Sequence, residues 1–314
     1  MIETERLTKR YGNLLAVDDL SFSVGPGEVL GFLGPNGAGK STTMKMLSGF
    51  LAPTEGVARI CGFDIEKEPV KAKREIGYLP EGAPTYGEMT PAAFLDFIAD
   101  IRDLRGDQKR RRLDEVISRL HLEPVLLQPI DTLSKGYKRR VGLAQAIIHD
   151  PHVLILDEPT DGLDPNQKHE VRSLISEMAA DKIIIISTHI LEEVHAVCDR
   201  AIIIAHGRIL ADETPAGLEA RSPRHNAVTL RLGDTAAAEA GSALDSLPGV
   251  ARVETRADGG MTVLPADGAE LLPAVGRLAL ERGWDVQELQ VESGQLDEVF
   301  RQITSADAGQ EART

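Results

Sequence analysis

Val29-Leu30-Gly31-Phe32-Leu33-Gly34-Pro35-Asn36-Gly37-Ala38-Gly39-Lys40-Ser41-Thr42 decides the fold. An apolar run of strand length leads into the pattern GxxxxGK[ST], and a helical stretch ending near Gly49 follows, so the motif has the strand, loop and helix that give it meaning. Glycines let the backbone curl with its N–H groups turned inward, and the N-terminus of the next helix adds partial positive charge. Such a cradle suits phosphate. Lys40 is placed to reach terminal phosphates, and the Ser41 hydroxyl suits Mg²⁺, an ion that keeps most of its waters and takes few protein ligands.

A second apolar run, Val153-Leu154-Ile155-Leu156, ends in Asp157-Glu158. Two carboxylates at the end of a buried strand are costly without a cation or proton to meet them. An acid pair in that position alone is more often a helix cap or a turn. Beside the phosphate loop, Asp157 is expected to hold Mg²⁺ through water, and Glu158 to polarise the water that attacks a γ-phosphate.

Up to about Arg221, short apolar runs at 29–33, 153–156, 183–187 and 201–205 alternate with helical patterns, which predicts a mainly parallel sheet covered by helices. Thr90 before Pro91 starts a helical insertion whose stripes, Phe94, Phe97, Ile98, Ile101 and Leu104, then Leu113, Val116, Ile117 and Leu120, are expected to pack into a core. The turn-rich segment 212–226 marks a boundary. From Ser222 onward there are 8 Arg and no Lys against 15 acidic residues, so composition changes as well. Beyond it the pattern predicts strand 228–232, helix 236–247, strands 250–255 and 261–264, helix 269–282, strand 286–291 and helix 296–303. That βαββαβ order suggests a small α+β, ferredoxin-like fold. Single acids and His225 in that domain are expected to be solvated surface.

The chain's 314 residues suggest about two domains. Hydrophobic residues at 42% and charged residues at 27% are ordinary globular usage, against disorder. The net charge of −14 disfavours a broad basic face for nucleic acid, so any polyanion must be met locally. Cys61 and Cys198 lack metal or disulfide-framework spacing and fit a reducing cytoplasm. The N-terminus does not have the pattern of a signal peptide, and the apolar runs fall short of the roughly 20 residues a spanning helix needs.

With these residues in hand, the first 215 or so positions resemble an ATP-binding cassette, the nucleotide-binding subunit of ABC transporters. The distinguishing landmark is Leu133-Ser134-Lys135-Gly136-Tyr137, which is similar to the family's LSGGQ signature and precedes the Asp157 strand at the expected spacing. It also makes sense as a helix start, with Ser134 as N-cap, Gly136 allowing close approach, and Val141, Ala144 and Ile148 on the buried face. The resemblance implies an α/β P-loop NTPase cassette over 1–215: a parallel-sheet core, an antiparallel N-terminal β region and a helical subdomain at about 88–145. A linker at 216–226, the accessory α+β domain at 227–305 and a disordered tail at 306–314 complete the expected plan.

The resemblance further implies that two copies pair head to tail around two MgATP, the phosphate loop of one (Gly34, Pro35, Asn36, Gly37, Ala38, Gly39, Lys40, Ser41, Thr42) facing the signature of the other (Ser134, Lys135, Gly136). Tyr11, in the loop after the first strand, would stack on adenine. Gly162-Leu163-Asp164 looks like the D-loop, and His189 resembles the switch histidine that senses the γ-phosphate. Two departures stand out. Glu81 occupies the usual glutamine of the Q-loop, where it can still ligate Mg²⁺ but brings negative charge. Lys135 and Tyr137 replace Gly and Gln of the signature, altering contacts across the dimer. Both variants look like those in cassettes of small exporters and of gliding-motility or copper-associated systems.

These features imply an ATPase subunit driving a separate polytopic membrane permease, docked near 81–89, with the chain cytoplasmic and peripheral on the inner face of the membrane. The rival class is a soluble cassette of the translation, repair or chromosome type. It is disfavoured by the single phosphate loop and by the lack of an inserted zinc module or coiled coil.

Overall fold

The protein is described from a computed structural model over residues 1–82, 85–233, 237–266 and 268–311. It divides into two compact units, Met1–Asp212 and Glu213–Thr314.

The first unit begins with β1 (Ile2–Tyr11), β2 (Leu14–Val24), β3 (Val29–Leu33) and α1 (Lys40–Leu47), followed by β4 (Glu55–Ile60), β5 (Phe63–Asp64), α2 (Pro69–Arg74) and β6 (Ile76–Leu79). The helical insertion comprises α3 (Pro91–Ile101), α4 (Gly106–Arg119) and α5 (Lys135–Ile147). It leads to β7 (Val153–Asp157), α6 (Pro165–Ala179), β8 (Ile183–Thr188), α7 (Leu191–Val197), β9 (Arg200–Ala205) and β10 (Arg208–Glu213).

Six strands form one sheet in the order β10-β9-β3-β8-β7-β6. The pairs β9–β3, β3–β8, β8–β7 and β7–β6 are all parallel. Strands β3, β7 and β8 are buried along their whole length, which explains why their sequences run apolar without alternating. The order in space departs from the order in sequence: β8 lies between β3 and β7. The N-terminal strands make a separate sheet, β2-β1-β4-β5, with antiparallel pairing. One core joins the two sheets and α1, drawing Ile2, Leu7 and Phe22 from the N-terminal sheet, Phe32, Ile155 and Ile185 from the parallel sheet, and Met44 and Leu47 from α1.

Thr90 caps α3 by accepting from Ala93 N at 3.2 Å, with Pro91 in the first turn, as expected. The stripe on α3 needs correction. Phe94, Leu95, Ala99 and, beyond the helix, Leu104 are buried, whereas Phe97 and Ile101 are 41% and 59% exposed. Their i, i+4 spacing places them on a face of α3 turned from that core, where Tyr86 meets Phe97 edge-on at 6.0 Å.

The second unit contains α8 (Pro215–Glu219), β11 (Val228–Leu232), α9 (Ala237–Asp245), β12 (Val250–Thr255), β13 (Met261–Pro265), α10 (Leu272–Glu281), β14 (Val286–Val291) and α11 (Leu296–Glu311). Its sheet runs β12-β13-β11-β14 with every neighbour antiparallel. This is the ferredoxin-like arrangement that the βαββαβ pattern suggested. The expected start of α9 at Ala236 lies outside the described residues. Two expectations differ here. The segment read as linker carries α8, capped by Thr214, and α11 continues to Glu311, into the stretch read as a disordered tail. The acids are also not all solvated surface: Arg224 pairs with Glu254 at 2.9 Å, Glu298 at 3.3 Å and Glu292 at 3.7 Å.

Candidate functional site

Parallel strands end at one edge, and loops leaving that edge form the crevice where α/β folds bind ligands. Leu33 is in register with Thr188, and Ser187 with Asp157. The loop of Gly34–Gly39, the turn at His189 and the Asp157-Glu158 pair therefore emerge side by side.

The helix α1 starts at Lys40 with Gly39 as N-cap and no side chain capping it, so its first N–H groups are left for a ligand. Gly39 has φ +106°, and a Cβ there would lie 2.6 Å from the Ala16 carbonyl oxygen on β2, so only glycine fits. Lys40 is buried, and its ammonium donates to the carbonyls of Gly34 at 2.6 Å and Pro35 at 3.2 Å. Burial lowers its pKa, and the charges of Glu158, Asp157 and Glu81 oppose that shift.

Asp157 is fully buried. Its Oδ1 accepts from Ser187 Oγ, and from Ser41 Oγ at 3.4 Å. Its Oδ2 is buried without a hydrogen-bond partner among the described residues. An unpaired buried carboxylate oxygen is costly and calls for a cation. One hydroxyl and one carboxylate side by side are oxygen ligands of the kind Mg²⁺ takes, and Ser41 and Asp157 would hold it here.

Glu158 has φ +51°, an uncommon left-handed conformation for a residue with a side chain. Its N–H donates to the Ser187 carbonyl at 3.0 Å. Its carboxylate is largely buried and lies 2.9 Å from His189 Nδ1. Burial raises the Glu158 pKa, while the hydrogen bond to His189 and the charge of Lys40 pull it back. A carboxylate tuned upward, held by an imidazole and opening toward the phosphate loop is equipped to orient a water and take its proton.

Ser134 caps α5 by accepting from Tyr137 N at 3.3 Å. Gly136 is buried, and a Cβ on it would meet the Gln167 side-chain oxygen at 2.4 Å. Lys135 lies near Gly162, whose added Cβ would sit 3.3 Å from Lys135 Cδ. The guanidinium of Arg140, three residues further along α5, lies 5.6 Å from the Tyr137 ring. Asp164 caps α6, accepting from Gln167 N at 2.9 Å. Glu81 is exposed just past β6; Ala83 and Pro84, within the expected docking stretch, lie outside the described residues. Tyr11 is the last residue of β1 rather than part of the following loop, about half exposed, with Lys9 Nζ 5.4 Å from its ring.

Several residues that shape the site carried no sequence signal. Ser187 is an unremarked serine at the end of an isoleucine run, yet the strand register sets it against Asp157. Arg139 is buried and donates to the carbonyls of Asp157 at 2.6 Å, Pro159 at 3.1 Å and Pro80 at 3.3 Å. Glu193, on α7, accepts from Thr160 Oγ1 and, at 2.8 Å, from Thr188 Oγ1, joining the loop after Glu158 to the residue before His189.

Residues 17–161 match the family described as ABC transporter. The Nod factor export ATP-binding protein I of Paraburkholderia xenovorans (strain LB400) is 39% identical over 218 residues, 69% of this chain and 72% of that protein. The probable multidrug ABC transporter ATP-binding protein YbhF of Escherichia coli (strain K12) is 36% identical over 223 residues, 71% of this chain. The match spans only 38% of YbhF's own length. A solved structure of the ATP binding subunit of an ABC transporter superposes with a TM-score of 0.66 at 32% identity, covering 70% of this chain and 92% of that one.

Proposed function

Because this chain belongs to the family of ATP-binding subunits of ABC transporters, we propose that it hydrolyses ATP as a homodimer and thereby drives a separate membrane permease, in the direction of export. The observation that carries the reading is the Glu158–His189 pair, one residue past the buried Asp157 and beside the Lys40 loop.

In this reading the N–H groups of the loop from Gly34 to Thr42 and the Lys40 ammonium hold the β- and γ-phosphates. Mg²⁺ would be held by Ser41 and, through water, Asp157, and would neutralise charge on the phosphate oxygens; Glu81 is a further candidate ligand. Glu158 orients a water toward the γ-phosphorus and accepts its proton, while the bond to the bridging oxygen breaks and ADP leaves. His189 holds the Glu158 carboxylate and faces the γ-phosphate. Tyr11 supplies an adenine platform, and Ser134, Lys135, Gly136 and Asp164 serve the nucleotide of the second copy. Binding of ATP favours the paired state only so far as it binds that state more tightly than the open one.

Export is supported by the names of the relatives, one a Nod factor export protein and one a probable multidrug transporter subunit. Among the described residues no helix is long and apolar enough to cross a membrane, consistent with a subunit that reaches the membrane through a partner. We place the permease contact on the 81–89 stretch together with the exposed rings of Tyr86 and Phe97 and the side chain of Ile101.

The test is turnover of purified protein with MgATP. Lys40→Ala should abolish nucleotide binding, and Glu158→Gln should keep binding while turnover collapses by about two orders of magnitude or more. Undiminished hydrolysis in Glu158→Gln would refute the role given to that residue, and a wild-type chain that does not hydrolyse ATP even with its permease would refute the function.

A further inference from the structure

Arg139 belongs to α5, the helix headed by Ser134 and Gly136, yet its side chain serves a different part of the chain. Two of the carbonyls it meets, those of Asp157 and Pro159, flank Glu158, and the third, that of Pro80, precedes Glu81. One planar cation thus reaches both the loop of the candidate base and the loop of the candidate metal-ligating acid. A guanidinium can span such a set because its donors form a rigid fork, whereas an ammonium on a flexible stem is a single point.

Glu158 gives this contact a use. Its left-handed backbone is unfavourable for a residue with a Cβ and persists only where neighbours over-determine it. The Ser187 carbonyl holds its N–H from the β8 side, and Arg139 holds the carbonyls before and after it from the α5 side. A buried charge is a costly way to fill a core, and apolar residues of similar volume often stabilise as well or better. The burial of Arg139 among carbonyl groups therefore asks for a role that packing alone does not supply.

We propose that Arg139 is a positioning residue that fixes the backbone around Glu158 to the helix headed by Ser134. Given the head-to-tail dimer proposed above, on which this part of the inference rests, the helix that meets one nucleotide then sets the carboxylate that acts on the other. Movement of α5 on one side is felt by the water-orienting group on the opposite side through a single side chain.

The test uses the full chain with Arg139→Met, which keeps bulk and loses every donor, and Arg139→Lys, which keeps charge and loses the fork. Turnover number and KM for MgATP, thermal unfolding, and amide hydrogen exchange across residues 157–161 are measured for each. In Arg139→Met the turnover number should fall at least about tenfold with KM within about threefold of wild type, and Arg139→Lys should recover only part of that loss. Exchange across 157–161 should accelerate in both, with the β3 amides unchanged.

The proposal is overturned if either variant keeps the wild-type turnover number, if KM rises while turnover is intact, or if activity in both variants falls only in step with the folded fraction. Unaltered exchange across 157–161 overturns it as well. Because exchange is read without nucleotide, a wild-type chain lacking ATPase activity would remove the functional reading while leaving the Arg139 contact to be judged separately.

Discussion

His149, in the turn that follows α5, offers a quantitative test of the fold around the site. Its Nε2 lies 3.0 Å from the Ile76 carbonyl on β6, so that nitrogen carries the proton, and Nδ1 is buried with no partner among the described residues. Protonating Nδ1 would bury a second N–H without an acceptor, close to the guanidinium groups of Arg102 and Arg112. Burial, reinforced by those two charges, lowers the pKa from 6.5 to about 4. The folded value lies below the unfolded one, so the unfolded state binds the proton more readily. Stability is therefore full above about pH 6.5, falls as the pH drops from there toward 4, and levels off below. Linkage with these two values gives a loss of about 2 kcal/mol between pH 7.5 and pH 5. For a unit of this size that corresponds to roughly 4–8 °C in melting temperature. His149→Gln keeps an N–H for the Ile76 carbonyl and does not titrate. The difference in melting temperature between the two pH values should be smaller in the variant by that amount, read by calorimetry or circular dichroism. An equal pH dependence in the two proteins would refute the burial of a neutral imidazole at this position.

The remaining predictions concern the site itself. Asp157→Asn keeps the hydrogen bond from Ser187 and removes the unpaired charge, so the melting temperature should hold or rise while the stimulation of ATP binding by Mg²⁺ over a chelator disappears; equal stimulation in both proteins would remove Asp157 from the metal site. The atoms nearest to a Cβ at Gly136 are the movable amide end of Gln167, so in Gly136→Ala stability should change by no more than about 1 kcal/mol. Its turnover should nevertheless drop at least about tenfold if Gly136 faces nucleotide in a second copy. Wild-type turnover in Gly136→Ala would count against that placement.

The local motifs were legible because each is short and its chemistry is fixed by adjacent residues. Glycines followed by Lys40 and Ser41 form a curl and a helix start whatever surrounds them, and Ser134 and Thr90 cap their helices from within a turn. The pattern of the second unit was equally readable, since alternation and helical stripes in βαββαβ order leave few arrangements of four antiparallel strands. The stripe on α3 misled because periodicity reports an apolar face without reporting what covers it. Phe97 and Ile101 share that periodicity and still face solvent.

The sequence by itself therefore determined the glycine loop with the helix that starts at Lys40, the acid pair after a buried strand and the Ser134-capped helix, all of which rest on contacts within a few residues along the chain. The tertiary structure alone decided which groups meet. The insertion of β8 between β3 and β7 sets Ser187 against Asp157 and His189 against Glu158, and the packing of α5 delivers Arg139 to carbonyls some 20 and 59 positions distant in the chain. Such pairings depend on strand order and helix packing, which no local pattern encodes, because the free energy that selects them is the burial of the whole core rather than the preference of any one segment.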